Sequence, residues 1–330
     1  MKDEKKIQEV VYARAKTGKR IGAFFIDVFL FFFTGFLLFS AFHQFVSHLP
    51  FYETNLQTRR DLQGKSGFYR EDGTDIVSYF HQEASETEFP SARTKKDYLA
   101  NALDAFYQND DFLSPDAQKR AQADYRQRKK YATYQDVSLF VMTDDAWAEN
   151  EVNPEWLLSF YENEVNQYAQ PLFVGYLPYL ETTRVIWITS FGEAVVALTL
   201  AFALYFLATP LTLGKRGRKT LGMKLLQIGY VTSEGITPSW GKTCLHALFV
   251  YFIDFLVSFV SFLLPLFVSF GMMMLGKHKQ TLSEYLWNWT AVDTKDQEVY
   301  LDYADFFQHE QARKEASIEN KDFEIDHPTY

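Results

Sequence analysis

Residues 20–45 read RIGAFFIDVFLFFFTGFLLFSAFHQF, an apolar run opened by Arg20 whose only formal charge beyond it is Asp27. At ~1.5 Å of rise per residue such a run crosses a ~30 Å hydrocarbon layer, so it predicts a transmembrane helix. Asp27 follows Arg20 by about two helical turns, which places both on roughly the same face, the arginine at interfacial depth and the carboxylate below it. An ionisable side chain inside a membrane is costly and marks a candidate ion or proton site. The competing reading is that Asp27 hydrogen-bonds a neighbouring helix and fixes packing. The run has the basic flank of a signal peptide, but it is too long and lacks a small-residue cleavage site, so it reads as an anchor.

The rest of the 330-residue chain is not uniformly apolar: hydrophobic residues make up 47%, yet the mean hydropathy is -0.20, so apolar segments must coexist with a large polar portion. Phe29, Phe31, Phe32 and Phe33 in the first run, and Phe249, Phe252, Phe255, Phe259 and Phe262 in a later one, read as rings packed against lipid or neighbouring helices rather than as a cofactor site. The single cysteine, Cys244, cannot form an intramolecular disulfide, and no Cys/His cluster has metal-ligand spacing, so neither metal nor cofactor is expected. A net charge of -9 argues against a nucleic-acid partner, which needs basic surface to neutralise phosphates.

Charge asymmetry sets the expected topology. Lys5, Lys6, Arg14, Lys16, Lys19 and Arg20 place residues 1–20 in the cytoplasm, so the span at 21–45 exits outward. Residues 46–184 contain no run long enough to cross and should form a small, mainly helical extracytoplasmic domain. Within it, Leu99, Leu103 and Phe106 recur at helical intervals, while Ser114-Pro115-Asp116 and Asn153-Pro154-Glu155 read as helix starts with proline in the first turn. Gly67-Phe68-Tyr69 and residues 136–142 look extended. The basic run Arg126 to Lys130 reads as the solvated face of a helix, with anionic head groups or wall polymer as the alternative. A second span, 185–213, carries Glu193 in its outer third and is followed by Lys215, Arg216, Arg218, Lys219 and Lys224, which return the chain to the cytoplasm.

The third apolar run, 245–275, crosses once or turns back near Pro265; Lys242 before it and Lys277 and Lys279 after it favour a helical hairpin. The strand-like stretches Lys224 to Val231 and Trp289 to Val292 would then share the cytoplasmic side and pair. Asp254 lies within the first arm of this hairpin, with His246 on a nearby face as a relay candidate. The cytoplasmic segments are 214–244 and 276–293; the acidic tail 294–330 should be mobile apart from a short helix around Ala304 to Ala316. The fold class is therefore mainly α: a polytopic helical membrane protein with an exported helical domain and a short cytoplasmic β pairing.

Three motifs in order resemble the bacterial RDD family of integral membrane proteins, named for one arginine and two aspartates. The first is Arg20-Ile21-Gly22-Ala23-Phe24-Phe25-Ile26-Asp27; the second is Lys219-Thr220-Leu221-Gly222-Met223-Lys224-Leu225-Leu226, similar to the family's threonine-leucine-glycine-lysine stretch; the third is Gln280-Thr281-Leu282-Ser283-Glu284-Tyr285-Leu286. In the third, Ser283 and Glu284 stand where family members usually carry histidine and aspartate, and Trp287-Asn288-Trp289 replaces small residues. The resemblance covers residues 12–45 and 186–293 and leaves out the exported region. It implies Thr220, Leu221, Gly222, Lys224 and Glu284 as motif residues, and transport, with cation/proton exchange in some members, as activity.

Two functions are therefore expected from different classes. One is movement of a cation or small solute, with Asp27 as the ionisable group, Arg20 beside it, and Asp254 and Glu193 as weaker candidates; two spans and a hairpin enclose no pathway alone, so this requires a homo-oligomer in the lipid bilayer. The other is a membrane-anchored binding or assembly protein whose exported domain, large enough to bury its own core, meets a cell-envelope partner. An enzyme is not expected: the loop has His81 and many acids, but no nucleophile elbow, zinc motif or phosphate-cradling glycine loop. The pairs Asp110-Asp111 and Asp144-Asp145 read as surface sequence, not as a metal site. The expected location is the bacterial cytoplasmic membrane, multi-pass, with both termini inside.

Overall fold

The computed structural model describes residues 12–143 and 146–326; Lys5, Lys6 and the Asp144-Asp145 pair lie outside the described residues. The chain is mainly helical and divides into two compact units, His43–Gly192 and Met1–Phe42 with Glu193–Tyr330. It opens on α1, Thr17–Val46, the first of three helices with the length and apolarity of a membrane span.

The unit His43–Gly192 holds α2 (Pro50–Ser66), α3 (Ala92–Gln108), α4 (Pro115–Tyr131) and α5 (Pro154–Glu164). Between α4 and α5 lie two small antiparallel pairs, β1 (Thr133–Tyr134) with β2 (Val137–Ser138) and β3 (Phe140–Thr143) with β4 (Ala146–Glu149). Helix starts follow the local chemistry. Ser91 and Thr94 cap α3 reciprocally, and Ser114 and Asn153 accept main-chain N–H groups ahead of Pro115 and Pro154. Leu99, Leu103 and Phe106 form the buried stripe of α3 and pack in one core with Phe68, Phe112, Phe140, Leu157, Tyr161 and Phe173. Gly67 closes α2 in the left-handed region, and Tyr69 bridges Asp75, so the extended stretch there is only a bridge long.

One expectation is corrected in this unit. The run Arg126 to Lys130 is not simply a solvated face, because Arg128 turns inward to Glu164. Its Nε and Nη2 donate to the two carboxylate oxygens at 2.7 and 2.6 Å, and the Tyr107 hydroxyl donates to Oε1 at 2.8 Å. Glu164 is 1% exposed, so each of its oxygens needs these donors.

The other unit takes α1 up to Phe42 and, from Glu193 on, the rest of α6 (Leu177–Phe202), which is continued by a π-helical stretch, Ala203–Ala208, and a last turn, Thr209–Leu211. Ala23, Asp27, Phe31 and Gly35, four residues apart, are the buried stripe of α1, while Phe25, Phe29, Phe32, Phe33 and Phe36 point outward. Gly35 lets Leu198 close in: a Cβ there would sit 2.8 Å from its side chain. Phe31 meets Phe202, Phe206 and Phe255 edge-on, at 6.5, 6.1 and 5.5 Å between ring centroids.

After α6 come the short α7 (Leu221–Leu225) and β5 (Ile228–Thr232), then α8 (Trp240–Phe249), which runs on through a π-helical stretch Val250–Val257 and a turn Ser258–Val260. The third apolar run breaks at Phe262 and Leu263, both left-handed at φ 51° and 65°, and resumes as α9 (Leu264–Leu275) with Pro265 in its first turn. The arms on either side of the break pack on each other. Next come α10 (Leu282–Trp287), β6 (Trp289–Asp293) and α11 (Tyr303–Asp326), which is longer than the expected tail helix.

Strands β5 and β6 pair antiparallel from Ile228↔Asp293 to Thr232↔Trp289. The far edge of β6 is taken by the residues before α1: Ala15 N–H donates to Ala291 O at 3.0 Å and Asp293 N–H to Ala13 O at 2.8 Å. The expected strand from Lys224 thus starts later, because Thr220 caps a helical turn first and accepts from Met223 N–H.

Removing one partner from the Arg128–Glu164 pair strands the other in a desolvated site. Glu164→Ala is expected to cost about 3 kcal/mol, the lower end for breaking a buried pair because Arg128 is partly exposed, with Glu164→Gln milder. Thermal unfolding of the full chain in detergent, followed by protease sensitivity within 43–192, checks this; an unchanged midpoint for Glu164→Ala would remove the pair from the account of this unit.

Candidate functional site

The motif residues converge at the end of α1 that carries Arg20. Arg20 lies in the first turn of α1, and its Nη2 reaches both oxygens of Glu284 at 2.7 Å, while its Nη1 donates to the Lys279 carbonyl. Glu284 is held from its own side as well. Thr281 caps α10 by accepting from Glu284 N–H, and Glu284 Oε2 accepts from Thr281 N–H at 3.1 Å. The two side chains are 9% and 1% exposed. Burial pushes the Glu284 carboxyl up, while the guanidinium, the Thr281 N–H and the Tyr230 hydroxyl pull it back toward the charged form.

Asp27 is used differently. Its Oδ1 accepts the Gly222 N–H at 2.7 Å and its Oδ2 accepts the Thr220 hydroxyl, so the carboxylate sits on the first turn of α7, where main-chain N–H groups lack helical partners. Gly222 is the residue this approach requires. A Cβ there would overlap the Ala23 carbonyl and lie 3.0 Å from Asp27 Cγ. Ala23, Met223, Ile228 and Ala291 pack into a small core around this junction, with Tyr230 beside them.

The structure therefore unites Arg20, Asp27, Thr220, Gly222 and Glu284, but in other pairs than chain spacing suggests. Arg20 bonds Glu284 rather than standing over Asp27, since the guanidinium at the start of α1 extends toward the α9–α10 connection. Likewise, the cation that meets Glu284 is Arg20, not the cluster Lys215 to Lys224. Leu221 is half-buried and Lys224 exposed. Glu193 is buried on α6.

Asp254 falls in the π-helical stretch after α8, half-buried, and its Oδ1 is shut off from solvent with no hydrogen-bond partner among the described residues. Ser258 Oγ, one helical step on, is in the same state. His246 is not joined to Asp254 by any hydrogen bond or ion pair among the described residues; its ring stacks on Trp289, 4.5 Å between centroids. In the other unit His81 is exposed, 3.6 Å from Glu162.

Sequence reasoning missed Thr281, Tyr230 and the Lys19–Asp293 ion pair at 2.7 Å. The pattern Thr281-x-x-Glu284 is a legible capping box and could have flagged Glu284 as buried and oriented. Comparison of the chain with protein-family models, curated proteins and solved structures finds no match in any of the three.

Both oxygens of Asp27 accept, so Asp27→Asn must turn an NH2 group toward a donor and lose one bond, at about 1–3 kcal/mol. Gly222→Ala is expected to lower the thermal midpoint through the same contact, and the double variant to lose less than the sum. Additive losses in detergent-stability measurements would show that the two residues do not act on one junction.

Proposed function

We propose that the chain is a multi-pass membrane protein of the RDD type, with both termini in the cytoplasm and residues 46–184 outside, whose membrane unit moves a proton or small cation. The sidedness rests on one sheet. Residues 13–15, β5 and β6 share main-chain hydrogen bonds, and so belong on one side of a bilayer. On that basis α1 leaves this side, α6 returns to it, and α8 with α9 dips in and comes back. Basic residues at all these ends make it the cytoplasmic side.

The observation that carries the transport reading is Asp254: a carboxylate oxygen enclosed by an apolar helical segment, unpartnered, in a π-helical stretch, a local geometry that often marks functional sites. A carboxylate withdrawn from water has to be neutralised by a proton or a cation, and competition between the two is the simplest basis of exchange. Asp27, Arg20 and Glu284 have saturated partners and act as the clasp that holds the helix ends. A second copy of the chain would complete the pathway, because these few spans enclose none alone.

A second reading is favoured by the self-contained core of His43–Gly192, which suits a membrane-anchored binding domain for a cell-envelope component.

In proteoliposomes carrying a pH-sensitive dye, the wild type is expected to show cation-driven proton flux, and Asp254→Asn to lose roughly tenfold or more of it at equal insertion. Asp27→Asn should lower flux only in proportion to folded protein. Wild-type flux in Asp254→Asn would remove Asp254 from the mechanism. Replacing residues 50–180 by a short linker separates the two readings: retained flux supports the membrane unit, while a lost cellular phenotype with intact flux supports the exported domain. For sidedness, on a Cys244→Ser background, an impermeant thiol reagent on sealed cells should label Glu86→Cys, which is exposed, and spare Gln311→Cys. Labelling of Gln311→Cys would mean that the third apolar run crosses once.

A further inference from the structure

In the loop between α6 and α7, Arg216 pairs with Glu298 and Asp305, but the next two cations along the chain, Arg218 and Lys219, are held differently. Gly214 N–H donates to Thr209 O at 2.9 Å and Lys219 N–H to Gly214 O at 3.0 Å, while Gly217 donates to Thr237 Oγ1 at 3.0 Å and accepts from Tyr230 N–H at 2.6 Å. Gly217 and Arg218 are both left-handed, at φ 78° and 46°. These anchors hold Arg218 and Lys219 half-buried against β5 and the segment before α8.

Neither side chain meets a carboxylate among the described residues. Arg218 gives its Nε to the Pro238 carbonyl at 2.8 Å, and Lys219 gives its ammonium to the Thr294 hydroxyl at 2.7 Å. Lys224, exposed on α7, is close enough to repel Lys219. Burial pulls both Arg218 and Lys219 below their ordinary values, as expected for desolvated cations without a counter-charge. Five acids of this unit are engaged elsewhere: Asp27 by Thr220 and Gly222, Asp293 by Lys19, Glu284 by Arg20, and Glu298 and Asp305 by Arg216. Flanking the cations along the chain, Leu213, Leu225 and Trp240 are each more than 60% exposed.

We propose that Arg218, Lys219 and Lys224 form a binding site for the phosphate head group of an anionic phospholipid, a proposal that rests on the membrane reading above. The phosphate would supply the missing charge, and the acyl chains would cover Leu213, Leu225 and Trp240, which a soluble polyanion would leave in water. Tryptophan beside a basic cluster at a helix end suits the head-group layer.

The test is native mass spectrometry of the full chain released from bilayers of phosphatidylcholine mixed with phosphatidylglycerol. The wild type is expected to retain phosphatidylglycerol over phosphatidylcholine by roughly tenfold, and Arg218→Gln/Lys219→Gln/Lys224→Gln to retain the two about equally. The charge-keeping Arg218→Lys/Lys219→Arg/Lys224→Arg should hold most of the preference. If the triple glutamine variant does not insert, Lys224→Gln alone, at an exposed position, should still weaken the preference severalfold. An unaltered preference in the neutral variants, or none in the wild type, overturns the site; displacement of bound lipid by excess glycerol phosphate would make it a soluble-phosphate site and overturn the lipid assignment. A wild-type chain that washes off membranes in carbonate would instead sink the membrane reading itself.

Discussion

A guanidinium buried at the end of a helix must be neutralised, and the Arg20–Glu284 pair does this between residues 264 positions apart in the chain. Two charge-assisted hydrogen bonds to one carboxylate fix orientation as well as distance. Because Glu284 is also locked into its own capping box, the start of α1 and the start of α10 become one rigid object. Such a pair is weak evidence for net stability, since desolvating both ions offsets most of their attraction, but losing one partner is costly. Its consequence is registry: α10 ends in left-handed Asn288 and delivers β6 directly to β5 and to residues 13–15.

Asp27 extends the same constraint one step deeper along α1. By binding the first turn of α7 it ties the segment leaving α6 to α1, and Gly222 is what permits the approach. The three motifs that resemble the RDD family therefore form one junction. Arg20, a long side chain, reaches Glu284 with both carboxylate oxygens engaged. Ser283 is buried beside it, its hydroxyl 3.2 Å from that of Thr281.

Much of this was legible from the chain. The first apolar run, the helix starts at Ser114 and Asn153, and the pairing of β5 with β6 follow from periodicity, caps and β-branched content. Pairings between distant residues were not. Spacing alone couples Arg20 to Asp27 because they share a helix face, whereas the actual partners come from segments hundreds of positions away that only the fold brings near. Helix α2 was missed because its polar sequence has little periodicity, and α7 because Lys224 to Val231 reads as strand while Thr220 exerts a local cap. Arg128 was misread for a related reason. A basic residue in a charged helix looks solvated until the buried acid Glu164 is seen opposite it.

The separation between saturated and unsaturated acids bears on what the membrane unit can do. A carboxylate that fixes helix ends cannot also release and rebind a proton without loosening the junction, so Asp27 and Glu284 are poorly placed for exchange. Asp254 shows no such structural duty: among the described residues its Oδ1 has no hydrogen-bond partner, Ser258 Oγ one turn along has none either, and the local π-helical geometry departs from the regular ladder. The break at Phe262 and Leu263 just beyond it leaves this arm joined to α9 by a strained, exposed turn rather than by a continuous helix. In the exchange reading proposed above, the clasp at one end of the helices takes the fixed role and Asp254 the exchangeable one, so the two duties fall to different acids.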